Sequence, residues 1–288
     1  MGLTRREFLT RVVALPVPVL LSRGADADAG FTFGQLCDPQ LGMGGYEHDI
    51  ATFRQAVTDL NRLRPDFVVI CGDLVHETGS DQAFADFNDI KSGFEMPCHC
   101  AAGNHDIGGQ PTAALLSRYR KLIGPDWYTV EHKGCTFIIV NTQLWKSPVP
   151  EETDRQDGWL LEVLNRARER SSPAFIVGHY PLYLEDPLEE EEYFNLPVSR
   201  RKELLGLYMK SNVAAVLAGH THRNVVKDHA PEGPAATGGP IQLVASATTS
   251  RNFDGAPMGF RVWRVGARRP YPHEYVSLSV DIPAPEPV

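Results

Sequence analysis

Gly103-Asn104-His105-Asp106 follows the mostly apolar run 94–102 with no spacer, which puts metal-ligating and proton-transferring side chains at the end of a strand. Alone the tetrapeptide is an ordinary turn, because Gly and Asn reverse chains in many proteins. The event recurs, however. Asp38-Pro39-Gln40 follows 31–37, Gly72-Asp73 follows 67–71, Gly178-His179 follows 174–177, and Gly219-His220-Thr221-His222 follows 213–218. Asp, Asn, Gln and His together argue against a structural zinc site, which favours thiolates, and for a mixed oxygen and nitrogen site. A carboxylate shared between two cations holds them roughly 3.5–4 Å apart, the separation that activates a nucleophile and stabilises an in-line displacement. Asp73 is the expected bridge: it lies mid-order, and Gly72 beside it allows close backbone approach.

The elements that position these residues read as alternating strands and helices. Phe31 to Cys37 is a strand, then Ile50, Phe53, Val57, Leu60 and Leu63 recur at helical spacing until Pro65. Phe67 to Cys71 has the continuous apolar character of a covered parallel strand, a helix over 81–91 follows, and the run into Ala102 is a third strand. A helix-like stretch over 111–122 precedes a hairpin formed by 127–132 and 135–140 around Lys133-Gly134. Leu160, Val163, Leu164 and Ala167 mark a helix before the strand into His179, and Leu204, Leu207 and Tyr208 mark another before the strand into Gly219. Runs 241–245, 260–265 and 274–278 are expected to close a second sheet. In an open sheet with helical crossovers, ligands bind outside the carboxyl ends of the strands, so the five motif-bearing ends are expected to converge.

The 288-residue chain is 42% hydrophobic and 22% charged, enough for one large soluble core. Its net charge is -8, and setting aside 1–29, with Arg5, Arg6, Arg11 and Arg23 against Glu7, Asp26 and Asp28, leaves -9. Such a surface repels polyanions, so no nucleic-acid partner is expected. Thr4-Arg5-Arg6-Glu7-Phe8-Leu9 resembles the twin-arginine export signal. The apolar stretch 12–21 behind it is about half a membrane span and is broken by Pro16 and Pro18, so no stable membrane anchor is expected. Residues 1–29 therefore read as a cleaved signal peptide, with export to the periplasm or beyond and the twin-arginine machinery as a partner. The acidic run 185–192 reads as a solvated loop, and 281–288 as a Pro-rich tail. Five cysteines at irregular spacing make no disulfide framework, and strand alternation turns Cys98 and Cys100 to one face and His99 to the other.

The ordered set resembles the calcineurin-like metallophosphoesterases, whose pattern is Asp-x-His, Gly-Asp, Gly-Asn-His-Asp/Glu, a lone His, then Gly-His-x-His. The match runs from Asp38 to His222, with supporting strands to about residue 280. The resemblance implies an α/β fold, a sandwich of two mixed β-sheets flanked by helices (α/β/β/α), over residues 30–280. It implies two divalent or trivalent metal ions, drawn from manganese, iron, zinc or magnesium. Asp38, Gln40, Asp73 and His222 would hold one, and Asp73, Asn104, His179 and His220 the other. His105 would carry no metal and would protonate the leaving oxygen or steady the phosphoryl group, with Asp106 orienting its ring. Gln40 stands where most of the family has His. A narrower branch, containing complete S-transactivated protein and described as serine/threonine phosphoprotein phosphatases, also carries Gln there, and Tyr193-Phe194-Asn195-Leu196 resembles that branch.

The implied activity is hydrolysis of phosphomonoesters by in-line attack of a metal-bound hydroxide, on a phosphorylated small molecule or a phosphoprotein. Phosphodiester hydrolysis at the same ligands is the alternative, and a metal-stabilised binding module without turnover is the rival from another class. His76 either faces the substrate or caps the next helix. Asn224 and Tyr180 adjoin ligands, with Asn224 a candidate substrate contact, and Asn141 reads as structural. His48, His132, His229 and His273 show no site spacing and read as surface residues.

Overall fold

The computed structural model describes residues 30–230, 239–280 and 282. The expected signal over 1–29 and, Ile282 apart, the tail over 281–288 lie outside the described residues. Strand β1 (Phe31–Leu36) leads through α1 (Tyr46–Leu63) to β2 (Phe67–Cys71), and α2 (Asp81–Lys91) leads to β3 (Cys98–Ala101). Phe53, Val57 and Leu60 lie on the buried face of α1, which ends at Arg64 in the left-handed region (φ 52°). Pro65, with no N–H to donate, cannot continue the helix. Ser80 caps α2 by accepting the Ala83 N–H. A short α3 (Asn104–Ile107) and α4 (Ala113–Leu122) precede the hairpin of β4 (Tyr128–His132) and β5 (Cys135–Ile139). The chain continues through α5 (Gln143–Lys146), α6 (Pro150–Glu169), β6 (Ala174–Val177), α7 (Val198–Met209), β7 (Val213–Ala218), β8 (Val225–His229), β9 (Ile241–Ala245), β10 (Gly259–Val265) and β11 (His273–Ser277).

These strands form two mixed sheets, ordered β11-β10-β1-β2-β3 and β4-β5-β6-β7-β9-β8. Strands β1, β2 and β3 of the first sheet run parallel to one another, as do β5, β6, β7 and β9 of the second. Alternation assigns the layers. In β2, Phe67, Val69 and Cys71 fill the space between the sheets, while Val68 and Ile70 pack under α1 and α2. The second sheet's outer face carries Leu160, Leu164, Leu204 and Tyr208 from α6 and α7. Between the sheets Phe33 stacks on Phe67 (5.4 Å between centroids) and on Trp263 (5.6 Å), and Phe137 stacks on Phe175 (4.6 Å). Each such ring contributes roughly 2–3 kcal/mol through burial. Gln35, wholly buried, accepts from Trp263 Nε1 (2.9 Å) and donates to the carbonyls of Ala218 and Val244 (3.2 Å each). That amide ties the carboxyl end of β1 to the ends of β7 and β9, where the motif loops begin.

Several expectations are corrected. The third strand begins at Cys98, and 94–97 is a connection. Of the three closing strands only β9 joins the second sheet; β10 and β11 extend the first beside β1. Strand β8 had no signal, its alternation of half-buried and exposed positions being that of an edge. The converging ends belong to two facing sheets rather than to one open sheet. His48 is buried beside Gly44. His132 contacts Asp66 (3.1 Å), His229 contacts the Tyr183 hydroxyl (3.0 Å), and His273 contacts Arg261 (3.0 Å), so none of these is a bare surface residue. All five cysteines are free.

Candidate metal and phosphoryl-transfer site

The sheet ends deliver Asp38 and Gln40 after β1, Asp73 after β2, Asn104 and His105 after β3, His179 after β6, and His220 and His222 after β7. Asp38, Gln40, Asp73, His220 and His222 all have positive φ, between 37° and 66°. That conformation costs an L-residue about 1–3 kcal/mol and persists where surrounding contacts impose it, so the strain is concentrated where the side chains converge. Two glycines make the room. A Cβ on Gly103 would lie 2.1 Å from Asp73 Oδ1, and one on Gly219 would lie 2.3 Å from Asp38 Oδ2. Thr142, after β5, accepts the N–H groups of His179 (3.1 Å) and Tyr180 (2.9 Å) and fixes the turn that presents His179.

Main-chain carbonyls set the histidine rings. His179 Nδ1 meets the Cys71 carbonyl at 2.8 Å, which leaves Nε2 facing Asn104 Oδ1 (2.9 Å) and Asp73 Oδ2 (3.3 Å). His220 Nε2 meets the Tyr193 carbonyl at 3.0 Å, which leaves Nδ1 facing His179 Nε2 at 3.1 Å. His222 Nδ1 meets the Arg251 carbonyl at 2.5 Å, and its Nε2 lies 3.8 Å from Asp38 Oδ1. With each carbonyl taking a ring N–H, two nitrogen lone pairs, a carboxylate oxygen and an amide oxygen point at one another. That array is repulsive unless a cation sits among them. The cluster of Asp73, His179 and His220 is buried. Beside it Gln40 Oε1 is buried with no hydrogen-bond partner, an oxygen donor left open toward a cation. The donor set therefore fits metal ions, with oxygen and imidazole ligands.

The electrostatics agree. Burial is the largest single influence on His179 and would keep it neutral, yet the Asp73 and Asp38 carboxylates and the Cys71 carbonyl together overcome it and lift the imidazole to about 9. His220 goes the other way: burial and the neighbouring His179 cation lower it to about 3. Burial raises Asp38. A pocket that favours positive charge on His179 beside buried carboxylates is one whose electrostatics suit a cation.

His105 stands beside this cluster without joining it. Its backbone N–H donates to Asp73 Oδ1 (2.9 Å), and its ring Nδ1 meets the His76 carbonyl at 2.7 Å. The expectation that Asp106 orients this ring is corrected. Asp106, buried, accepts the N–H groups of Leu74 (2.8 Å), Val75 (3.2 Å) and Gly103 (2.7 Å), and so locks the loop after β2 to the loop after β3. His76 does not cap α2, since Ser80 does; its ring stacks on His105 at 4.8 Å and lies 3.4 Å from Gln40 Nε2. Asn224 Oδ1 is engaged by Arg261 (2.6 Å) and the Ala247 N–H (3.3 Å), which braces the loop after β7. Tyr180 packs its ring on His220 (4.1 Å), and Asn141 holds Asp126 (2.9 Å). Sequence reasoning assigned no role to Tyr193, Arg251 or the His76 carbonyl. A main-chain acceptor carries no residue-type signal; only the Tyr193 motif offered a clue.

Fold and site together define a class. The chain belongs to the calcineurin-like phosphoesterases, whose family model matches residues 31–224, and it is a metallophosphoesterase, a hydrolase of phosphoric esters. It is 33% identical over 266 residues to a serine/threonine-protein phosphatase CPPED1 of Pongo abelii, covering 84% of this chain and 82% of that protein. The Homo sapiens protein of the same name is 32% identical over 266 residues, with the same coverage. A dimetal phosphatase from Danio rerio shares the fold, with a TM-score of 0.58 at 18% identity over 86% of this chain and 99% of that one.

Proposed function

We propose that the chain is a two-metal phosphomonoesterase, with Asp38, Gln40, Asp73 and His222 holding one cation and Asp73, Asn104, His179 and His220 the other. When bound, the cations supply Lewis acidity toward a phosphoryl oxygen and lower the pKa of a water. The observation that carries the reading is His105. It is anchored to Asp73 through its backbone, yet its ring is engaged by the His76 carbonyl and spared from the ligand cluster. With Nδ1 engaged, Nε2 is the atom left to deliver a proton to a departing alkoxide. A module that only binds metal has no use for such a group.

The relatives' name supports phosphoserine and phosphothreonine side chains as substrates, and small phosphorylated molecules share the same ester chemistry. Thr4-Arg5-Arg6-Glu7 supports export through the twin-arginine machinery, after folding and metal loading, to a periplasmic or extracellular location. Lys replacement of both Arg5 and Arg6 is expected to hold the protein in the cytoplasm, and unchanged export would remove that part of the reading.

The test of the reaction is a panel of phosphoserine peptide, alkyl phosphomonoester and phosphodiester on metal-loaded protein. Monoesters are expected to be hydrolysed with kcat/KM at least about tenfold above the diester. The reverse order would assign a phosphodiesterase, and no turnover of any with metal bound would assign a binding module.

A further inference from the structure

Two of the ligand histidines depend on carbonyls in long loops, and each loop is gripped by one buried charged side chain from a helix. Arg201, on α7, is wholly buried and donates to four main-chain carbonyls: Leu196 (2.6 Å), Glu189 (2.9 Å), Pro187 (3.2 Å) and Glu190 (3.3 Å). A planar guanidinium suits that spread of acceptors, whereas a lysine ammonium could not span it. The acidic segment 185–192 is a solvent-exposed loop, as expected, but its main chain is strapped to the protein at Pro187, Glu189 and Glu190. Its own Glu189 carboxylate accepts the N–H groups of Leu184 (2.9 Å), Glu185 (2.8 Å) and Asp186 (3.1 Å). The strap ends at Tyr193, whose carbonyl takes the His220 Nε2 proton.

The second arm has the same logic with the opposite charge. Asp49, in the first turn of α1 and wholly buried, accepts the N–H groups of Gly42 and Gly44 (2.9 Å each) and the Ser250 hydroxyl (2.7 Å). Gly42 lies two residues past Gln40, and Ser250 immediately precedes Arg251, whose carbonyl takes the His222 Nδ1 proton. Gln40 and His222 fall in the same half of the proposed site.

We propose that Arg201 and Asp49 are positioning residues, each setting one half of the two-metal site: Arg201 through the Tyr193 carbonyl to His220, and Asp49 through Ser250 and the Arg251 carbonyl to His222. This rests on the assignment of His220 and His222 as ligands to different cations. Losing a group that orients a metal-bound imidazole typically weakens the metal 10–100-fold.

The test follows two readouts in the full-length, zinc-loaded chain: metal release to a chelator, resolved into two phases, and exchange of the His220 Nε2–H and His222 Nδ1–H protons by NMR. Arg201→Gln is expected to speed one release phase about 10-fold or more and to expose the His220 proton alone. Ser250→Ala is expected to speed the other phase and to expose the His222 proton alone. Glu189→Gln loosens the strap from a half-exposed position and stands in if Arg201→Gln fails to fold; it is expected to act on His220 in the same sense. Equal effects of the variants on both phases and both protons would mean general loosening and overturn the proposal, as would no effect. The proton pattern does not require phosphate-ester turnover, so failure of the phosphatase reading and failure of this proposal are distinguishable.

Discussion

His76 holds His105 twice, its carbonyl meeting the His105 Nδ1 at 2.7 Å and its ring stacking on the His105 ring at 4.8 Å. The ring is therefore fixed through Nδ1 and stands beside the Asp73, His179 and His220 cluster without joining it. His105→Gln is expected to lower turnover of alkyl phosphates about 100-fold or more while metal content stays at the wild-type level. Aryl phosphates, whose leaving groups need less protonation, are expected to lose less. Equal losses on both substrates would argue for phosphoryl positioning instead.

Gln40 Oε1 is buried and unpartnered, so the amide oxygen is free to face a cation. A neutral oxygen is a weaker donor to zinc than imidazole nitrogen, which tilts that position toward manganese, magnesium or iron. Gln40→His is expected to slow metal loss to a chelator and to shift reactivation of stripped enzyme from manganese toward zinc. The same loss rate and the same metal response as wild type would mean that Gln40 is not a ligand.

A pH dependence follows from His179, which the Asp73 and Asp38 carboxylates and the Cys71 carbonyl, against the pull of burial, lift to about 9 in the metal-free pocket. A raised pKa stabilises the folded chain at pH below the ordinary value of 6.5, and that contribution is lost as pH rises through about 9. The melting temperature of chelated protein is expected to fall across this window, and that of metal-loaded protein to stay flat there. Metal uptake must also expel the proton, so apparent affinity should rise with pH and level off above about 9. A pH-independent affinity would place no displaced proton on His179.

Gly103 is required by contact rather than by φ, since a Cβ there would lie 2.1 Å from Asp73 Oδ1. Gly103→Ala is expected to destabilise the chain by about 1–3 kcal/mol in denaturant unfolding and to weaken metal retention through Asp73. Unchanged stability and retention would contradict the close packing of the loops after β2 and β3.

Much of this site was legible because its candidate ligands are side chains of unusual type at strand ends, in an order that Asp38, Asp73, Asn104, His179, His220 and His222 keep. What escaped is the layer that aims them. Cys71, His76, Tyr193 and Arg251 contribute carbonyls, which every residue has. Asp106 was read as part of the chemistry because it neighbours His105, yet in a tight turn adjacent side chains diverge, and its carboxylate turns to three backbone N–H groups. For β10 and β11, alternation marks strands but does not say which sheet they join; pairing with β1 decided that. The strap 185–192 was read from its charge, while its fold depends on Arg201, a residue whose burial no local pattern announces.

The central claim is that two cations bridged by Asp73 are needed for phosphate release. The direct measurement is activity of chelator-stripped protein against added manganese, in wild type and in Asp73→Asn. Wild type is expected to be inactive when stripped and to regain activity up to two equivalents per chain, whereas Asp73→Asn, short of the charge that offsets repulsion between the ions, is expected to retain fewer than two and to remain inactive. Full activity in the stripped protein, or an Asp73→Asn variant that holds two ions and turns over, would contradict the account.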